Sequence, residues 1–271
     1  MPNMRIVDLS LYNFNNYERV SAAFHPVLNT LVGHNGAGKT NILDAVYYLC
    51  IGKSYFSSGD QYVVRKGESG FRCECKFEST NGIDTVEVKV TPGKKKEIIL
   101  SGKKHDRLSD HIGKFPVVII TPVDIQLMLD GSEERRKFLN NTIMQYDRTY
   151  VENILIYNRL LKQRNATLKS FSEKGYYDQR LIDSLSNGMY EPARKVHEMR
   201  KVLIEKLSPK FDHYYNVISG DREQCSLEYK SQLLTQDIEA LFAKNTERDK
   251  VLNRTSAGIH KDDIELKMNG D

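Results

Sequence analysis

The 271-residue sequence predicts an α/β fold, in which a phosphate-loop lobe with an antiparallel β meander is interrupted by a helical insertion lobe. Three observations lead to this fold class. A glycine-rich loop at residues 33–40 lies between an apolar run and an amphipathic segment. Residues 71–100 alternate apolar and polar side chains in short runs separated by turn residues. From residue 124 to about 207, apolar residues recur every three or four positions, which is the helical spacing.

Composition places the chain among ordinary globular proteins, with 39% hydrophobic and 28% charged residues. The net charge of +4 permits contact with nucleic acid without requiring it. Cys50, Cys73, Cys75 and Cys225 form no C-x-x-C pair, so we expect reduced, buried thiols and no metal centre. No apolar stretch has the length of a membrane span or the form of a signal peptide, and we therefore expect a cytoplasmic protein.

The glycine-rich loop has the pattern G-x-x-x-x-G-K-T of phosphate-binding loops. Its residues are Gly33, His34, Asn35, Gly36, Ala37, Gly38, Lys39 and Thr40. Glycines allow successive amide groups to point at the β-phosphate of a nucleotide, and Lys39 supplies positive charge to the β- and γ-phosphates. The Thr40 hydroxyl is a ligand for Mg²⁺. The sequence therefore predicts a site for ATP and Mg²⁺, the alternative being a chance match in a glycine-rich turn.

The segments on either side of the loop support this interpretation. Residues 27–32 read as a short strand. Residues 41–50 read as an amphipathic helix with Ile42, Ala45, Val46 and Leu49 on one face. A helix that begins at the loop adds a favourable partial positive charge for an anion.

The strands are predicted from alternation and turn residues. We expect paired strands at 4–11 and 20–24 around a polar turn at 13–17. A meander then follows through 71–77, 86–90 and 98–100, with turns at Asn81-Gly82, Pro92-Gly93 and Ser101-Gly102. The continuous apolar run at 117–120 predicts a strand buried on both faces.

The second half of the sequence predicts two long helices packed against each other. One apolar stripe contains Tyr150, Ile154, Tyr157, Leu161 and Leu168, and the polar residue Asn165 occupies one position of the same stripe. A second stripe contains Leu181, Leu185, Met189, Val196, Met199 and Leu203, with a break near Gly188 and Pro192. A strand at 225–229, a helix at 236–243 and a strand at 264–268 follow. The expected lobes are 1–122 (ATP-binding), 123–222 (helical insertion) and 223–271 (return to the ATP-binding lobe).

Several motifs in this order resemble the RecF family of bacterial DNA-repair ATPases, which are related to SMC proteins and ABC-type ATPases. They are residues 11–17, 33–45, 52–54, 121–124, Gly131-Ser132, 135–139, Tyr157 with 160–165, and 258–263. The chain departs from the family pattern at Asn15, where arginine is usual, and at Val123, Ile259 and Lys261. The arginine helps to hold the nucleotide in related ATPases.

The resemblance implies an ABC-ATPase-like fold and a role in recombinational repair and in processing replication gaps. It implies weak ATPase activity, an ATP-dependent homodimer, and binding to double-stranded DNA and to single/double-strand junctions. It also implies RecR and RecO as partners in loading the recombinase. The rival hypotheses are a non-hydrolysing, nucleotide-dependent DNA clamp or scaffold, and another SMC-like or overcoming-lysogenisation-type ATPase.

Two elements of the related ATPases are not recognisable in the sequence. These are the Walker B segment, an apolar strand that ends in Asp-Glu, and the serine-glycine-rich signature motif. Asp262-Asp263 follows a polar stretch and does not fit the first. The resemblance therefore implies an N-terminal portion of a RecF-like protein, for which we expect ATP turnover at the background rate.

Three further groups of polar residues have two interpretations each. Asp124 or Gln126 senses the metal or the γ-phosphate, or else caps a helix. Arg135 and Arg136 contact DNA, or else stabilise the helical lobe. His260 with Asp262 has a nuclease-like appearance, but a hydrogen-bonded structural turn is the favoured interpretation.

Overall fold

The computed structural model describes residues 4–129 and 131–268. The chain forms two compact units, and the division falls between Ile119 and Ile120. The predicted boundaries of the three lobes stay a prediction. Among the described residues, no helix is long and apolar enough to cross a membrane.

An antiparallel sheet forms the framework of the first unit. Its strands are β1 (Arg5–Phe14), β2 (Tyr17–Ala23), β3 (Phe71–Ser79), β4 (Gly82–Val90), β5 (Glu97–Leu100) and β6 (Lys103–Lys104). Within the described residues they lie in the order β2-β1-β3-β4-β5-β6. Phe14 pairs with Tyr17, so the chain reverses at Asn15 and Asn16. The predicted meander is confirmed.

One face of this sheet is apolar because successive side chains on a strand point in opposite directions. Cys73 and Cys75 on β3 and Val86 and Val88 on β4 are fully buried. Helix α1 (Lys39–Ile51) contributes to the same core. Its buried residues include Ala45, Tyr48 and Leu49. All four cysteines are free thiols, and burial raises the pKa of Cys50 to about 12. This core fixes α1, and with it the loop from which α1 starts.

Two strands predicted from apolar runs, 27–32 and 117–120, are absent from the described structure. Val27, Val32 and Val118 are 87%, 85% and 85% exposed. Val117 and Ile119 pack against the core of the first unit, so the second run buries only one side. The prediction was wrong because an apolar run indicates burial, whereas a strand also needs a neighbouring backbone for its N–H and C=O groups.

The second unit combines helices with a two-stranded antiparallel sheet. The helices are α2 (Gln126–Leu129), α3 (Ser132–Met144), α4 (Arg148–Lys174), α5 (Gln179–Ser219) and α6 (Ile238–Leu252). This sheet pairs β7 (Cys225–Lys230) with β8 (Asp263–Met268), and α6 lies between the two strands in the sequence. Asp147 and Asp178 cap the starts of α4 and α5 by accepting hydrogen bonds from the backbone N–H groups of Tyr150 and Leu181. The two long helices are confirmed.

The apolar stripes of these helices are only partly as predicted. Tyr150, Ile154, Tyr157 and Leu168 on α4 are buried, but on α5 the predicted core residue Leu181 is 44% exposed. Its neighbour Ile182 takes the buried position instead. The stripe is misplaced at its first residue, near the helix end, where assignments are uncertain by one or two residues, whereas Met189 and Val196 are buried as predicted.

The predicted break in the second helix is wrong. α5 runs without interruption through Gly188, Pro192 and Pro209. An interior proline removes one helical hydrogen bond and costs about 3 kcal/mol. Met189 and Ala193, on either side of Pro192, are fully buried in the core of the second unit, and this packing offsets the cost.

Candidate nucleotide-binding site

The glycine-rich loop leads directly into α1, as a phosphate-binding loop requires. Gly36 and Gly38 have φ angles of 80° and 99°, in the left-handed region that favours glycine. In the part of the chain that the structure describes, no side chain caps the start of α1 at Gly38. The first amide groups of the helix and the positive end of its dipole are therefore open to an anion.

Lys39 holds its charge inside the loop. Its Nζ donates hydrogen bonds to the carbonyl oxygens of Gly33, at 2.7 Å, and of His34, at 2.8 Å. Because an ammonium group has three donors, the third is available for a phosphate oxygen. Thr40 lies at the exposed first turn of α1, and its hydroxyl is the kind of oxygen ligand that Mg²⁺ prefers. The Lys39 ammonium and the Thr40 hydroxyl together fit a nucleoside triphosphate bound with Mg²⁺.

The turn between β1 and β2 lies against the loop, a relationship that the sequence analysis missed. Asn41 Nδ2 donates to Asn16 Oδ1 at 2.7 Å, and the Tyr17 hydroxyl donates to the Ala37 carbonyl at 3.4 Å. A Cβ atom at Gly38 would lie 2.7 Å from Asn16 Oδ1. Gly38 therefore leaves room for the Asn16 and Tyr17 side chains and also adopts a φ angle that favours glycine. The polar turn motif at 13–17 was the one sequence feature that pointed to this segment.

A buried carboxylate fixes α1 to the segment that follows it. Asp44 is 1% exposed, and it accepts hydrogen bonds at 2.7 Å from the Ser54 hydroxyl and from the Tyr55 N–H. Burial raises the pKa of this carboxyl, against the opposing effect of those hydrogen bonds. The motif at 52–54 thus has a positioning role behind the loop.

Asp124 and Gln126, the two candidate sensor residues, follow the apolar run at 117–120. Asp124 lies in a 3₁₀ turn at Pro122–Ile125, and its carboxylate accepts a hydrogen bond from the Thr121 N–H. This contact supports the capping interpretation, and the sensing role stays a prediction. The side chain of Gln126 lies outside the described residues.

The structure favours a structural role for Arg135 and Arg136. Arg135 is 16% exposed and donates to both carboxylate oxygens of Asp263, from Nε at 2.7 Å and from Nη2 at 3.0 Å. Its Nη1 also donates to the Leu127 carbonyl at 3.0 Å. Arg136 Nη1 donates to the Asp262 carbonyl at 2.8 Å. These hydrogen bonds tie both guanidinium groups to elements of the second unit.

His260 forms a structural turn, as the favoured interpretation held. Its Nδ1 lies 2.8 Å from the Tyr157 hydroxyl, and its Nε2 lies 3.1 Å from the Thr255 carbonyl oxygen. Burial lowers the pKa of His260 to about 4, so the ring is neutral at physiological pH. Asp262 is engaged by Arg200 and Tyr229. In the described residues, no group of three or more His, Cys, Asp or Glu side chains is placed to hold a metal ion.

The fold and the loop together define a P-loop ATPase. A family model described as an AAA ATPase domain matches residues 4–269. The structure of an SMC head bound to the C-terminal winged-helix domain of ScpA has the same fold. The TM-score is 0.50 at 14% identity, and the match covers 97% of this chain and 67% of that chain. The predicted ABC- and SMC-like α/β fold is confirmed.

Comparison with curated relatives identifies the family within this class. The DNA replication and repair protein RecF of Flavobacterium johnsoniae is 36% identical over 265 residues, which are 98% of this chain and 74% of the relative. RecF of Porphyromonas gingivalis is 38% identical over 270 residues, or 98% and 73% of the two chains. A structure described as the recombination mediator RecF-ATPrS in the RecFOR pathway matches with TM-score 0.92 and 25% identity, over 99% of this chain and 74% of that chain. The chain belongs to the RecF family.

Proposed function

We propose that the chain is an ATP-dependent DNA-binding protein of recombinational repair and replication-gap processing. The observation that carries this proposal is the Lys39 ammonium, held beside an uncapped helix start in a glycine-rich loop. Two structures of relatives are described as RecF with ATP or ATPrS in the RecFOR pathway. The site residues proposed for the nucleotide are those of the whole loop, 33–40.

Each part of the loop has a distinct task in this proposal. The amide groups between Gly36 and Thr40 bind the β-phosphate, and Lys39 neutralises charge on the β- and γ-phosphates. Thr40 supplies an oxygen ligand to Mg²⁺, which stabilises the negative charge of the triphosphate when it is bound. The turn at Asn16 and Tyr17 keeps the loop in place, because it is hydrogen-bonded to both the loop and α1.

The proposal extends to partners and location. ATP brings two copies of the chain together on DNA, double-stranded or at a single/double-strand junction, in the cytoplasm. The dimer helps to load the recombinase with RecR and RecO. This part of the proposal is supported by the relatives of the chain, which are described as a DNA replication and repair protein and as a recombination mediator in the RecFOR pathway. The net charge of +4 is compatible with binding to a polyanion.

DNA binding with and without nucleotide tests this function. We expect fluorescence anisotropy of a labelled duplex to show tighter binding in Mg·ATP, with an affinity that falls steeply as salt rises, since each neutralised phosphate releases counterions. Lys39→Ala should remove the effect of ATP. Lys103→Ala, an exposed lysine on β6, is the matched control and should keep it. Equal affinity with and without ATP would reject the proposal.

A nucleotide-dependent clamp or scaffold that does not hydrolyse ATP is the second candidate function. It is favoured by the contacts of Asp124, a candidate sensor of the metal or γ-phosphate, and of His260, which has a nuclease-like appearance in the sequence. Both are engaged in hydrogen bonds that hold turns together. ADP release measured under the conditions of the DNA experiment separates the two functions.

A further inference from the structure

The end of α1 that lies far from the glycine-rich loop is capped by side chains from elsewhere in the first unit. The last carbonyl groups of a helix have no partner within the helix and carry a partial negative charge. The last turn of α1 contains no basic residue of its own. Groups that satisfy these carbonyls therefore come from residues outside the helix.

Lys96, which directly precedes β5, supplies one of these caps. Its Nζ donates a hydrogen bond to the carbonyl of Gly52, the C-cap residue of α1, at 2.6 Å. The same ammonium lies 3.0 Å from the Asp60 carboxylate and 4.6 Å from the centroid of the Tyr48 ring. Tyr48 is fully buried on α1, and its hydroxyl donates to Asp60 at 2.6 Å. One cation thus contacts the end of the helix, a ring on the helix and the carboxylate that this ring binds.

His111 supplies a second cap. Its Nε2 lies 2.6 Å from the Leu49 carbonyl oxygen, and its side chain is fully buried. Burial lowers the pKa of His111, so the ring is neutral at physiological pH. Of these two caps, Lys96 is therefore the one that brings a full positive charge to the carbonyl end of α1.

The contact between Lys96 and Gly52 differs from an ordinary surface interaction. The Lys96 side chain is only 19% exposed, so water and salt screen its charge less than that of a surface lysine. A hydrogen bond from an ammonium group is charge-assisted and stronger than one between neutral groups. A cation at the end of a helix also interacts favourably with the helix dipole. Lys96 is consequently a firm anchor for this end of α1.

This anchor restrains α1 in a way that its other contacts do not. Asp44 ties the helix to Ser54 and Tyr55, which belong to the segment that directly follows α1. Lys96 instead ties the helix to the antiparallel sheet, through β5. Packing of the apolar face restrains α1 sideways, whereas a contact at its last carbonyls also restrains it along its axis. Because α1 is about 20 Å long and stiff, a displacement at Gly52 also moves the first turn.

We propose that Lys96 is a positioning residue for nucleotide binding. It holds α1 at the depth at which Lys39, Thr40 and the first amide groups of the helix meet the phosphates. This inference rests on the proposed nucleotide binding by residues 33–40. Lys96 acts at the opposite end of α1, so its loss changes the affinity without removing a ligand of the nucleotide.

Titration calorimetry of the 271-residue chain with Mg·ATP tests the proposal. Lys96→Met should weaken ATP binding by about 2-fold to 30-fold, the range usual for residues that act on a site through others. Lys96→Arg should keep most of the affinity, because a guanidinium carries the charge and also donates hydrogen bonds. Lys95→Met is the matched control and should bind ATP as the parent does. Lys95 Nζ also donates to a carbonyl, but to one outside α1, that of Asp106 at 2.9 Å.

Amide hydrogen exchange provides a readout at the helix itself. The Gly52 N–H donates to the Tyr48 carbonyl at 2.7 Å, and it should exchange faster in Lys96→Met than in the parent. Amides of β3, which is paired on both sides, should exchange as in the parent, because the opening is local. Thermal melting checks that each variant is folded, since lower stability alone leaves the affinity of a fully folded chain unchanged. Lys96→Gln, which removes the charge but keeps a donor, should also weaken binding and serves if Lys96→Met is unfolded.

The outcomes separate the anchor from the loop. Equal ATP affinity in the parent and in the folded Met or Gln variant of Lys96 would overturn the positioning role, and loss of binding in Lys39→Ala would still support the loop. An equal loss in Lys96→Met and Lys96→Arg would also overturn it, because the effect would then not depend on the cation. If Lys39→Ala bound ATP as the parent does, the phosphate assignment would fail, and the role of Lys96 with it.

Discussion

Arg200 Nη1 lies 2.7 Å from Asp262 Oδ2, and the two side chains are 2% and 1% exposed. Arg200 is on α5, and Asp262 directly precedes β8. The same guanidinium donates to the Ile259 carbonyl at 2.7 Å and to Asn140 Oδ1 at 2.9 Å. One buried cation thus joins α3, α5 and the turn before β8 within the second unit.

The first prediction concerns this ion pair. Arg200→Met should lower the free energy of unfolding by about 3–5 kcal/mol, because it leaves the Asp262 carboxylate buried without its cation. Urea unfolding measures the loss. Lys206→Met, at an exposed position on the same helix, is the control and should change stability by less than about 0.5 kcal/mol. Equal midpoints for the two variants would show that the pair contributes little net stability.

Elements that depend on local interactions could be predicted from the sequence, whereas those that depend on distant partners could not. Helix α1 and the meander were predicted correctly because each is encoded by neighbours in sequence, as the alternation at Cys73 and Cys75 shows. The assignment of residues 33–40 to the phosphates stays a prediction. The prediction of a strand at 117–120 was wrong because strand pairing depends on a partner backbone that a local pattern does not specify.

The contacts that organise the candidate site, and those that hold the second unit together, lie between residues far apart in sequence. Asn16 and Asn41 are 25 residues apart, and Arg200 and Asp262 are 62 apart. No period or motif links such pairs in a single sequence. The two interpretations of Arg135 remained open for the same reason, until the structure placed it against Asp263.

A second prediction follows for Arg135. Arg135→Gln should lower the free energy of unfolding by about 1.5–3 kcal/mol, the usual range for a hydrogen-bonded charged partner. Lys137→Gln is the control on the same helix, because Lys137 forms exposed pairs with Glu133 and Glu134. It should cost less than about 1 kcal/mol. If Arg135→Gln instead weakened DNA binding at unchanged stability, the residue would belong to a DNA interface.

The third prediction concerns His260 and pH. Burial lowers the pKa of His260 from 6.5 to about 4. The charges of Lys261 and Arg136 act in the same direction, whereas the hydrogen bond to the Thr255 carbonyl and the charge of Asp249 oppose the shift. As pH falls through this window, the unfolded chain takes up a proton that the folded chain does not, so stability decreases. We expect a loss of up to about 3 kcal/mol between the two pKa values.

Urea unfolding between pH 7 and about pH 4.5 tests the assignment to His260. His260→Gln should flatten the pH dependence, although its stability at pH 7 is lower because the ring links Tyr157 and Thr255. His213→Gln, at an exposed position on α5, should keep the slope of the parent. A slope that is the same in all three proteins would place the titration in another group.

The fourth prediction concerns the lysine of the loop. Lys39→Ala should abolish measurable Mg·ATP binding in calorimetry, because it removes the ammonium that Gly33 and His34 hold in the loop. Lys103→Ala should bind ATP as the parent does, since Lys103 is exposed on β6. Equal affinities for the two variants would contradict the assignment of residues 33–40 to the phosphates.

The last prediction separates backbone strain from steric contact at Gly38. Gly38 and Gly102 have similar left-handed φ angles, 99° and 82°. Alanine at either position should therefore cost about 1–2 kcal/mol of stability from strain alone. A Cβ at Gly102 would meet nothing within 4 Å, whereas at Gly38 it would lie 2.7 Å from Asn16 Oδ1 and 2.8 Å from the Tyr17 hydroxyl.

The side chains of Asn16 and Tyr17 must consequently shift in Gly38→Ala, with loss of the hydrogen bond between Asn16 and Asn41. One such bond contributes up to about 1.5 kcal/mol, so ATP affinity should fall by about 10-fold. Gly102→Ala should lose stability but bind ATP normally. Calorimetry and thermal melting of both variants provide the comparison. If both variants bound ATP as tightly as the parent, the turn would have no part in shaping the phosphate loop.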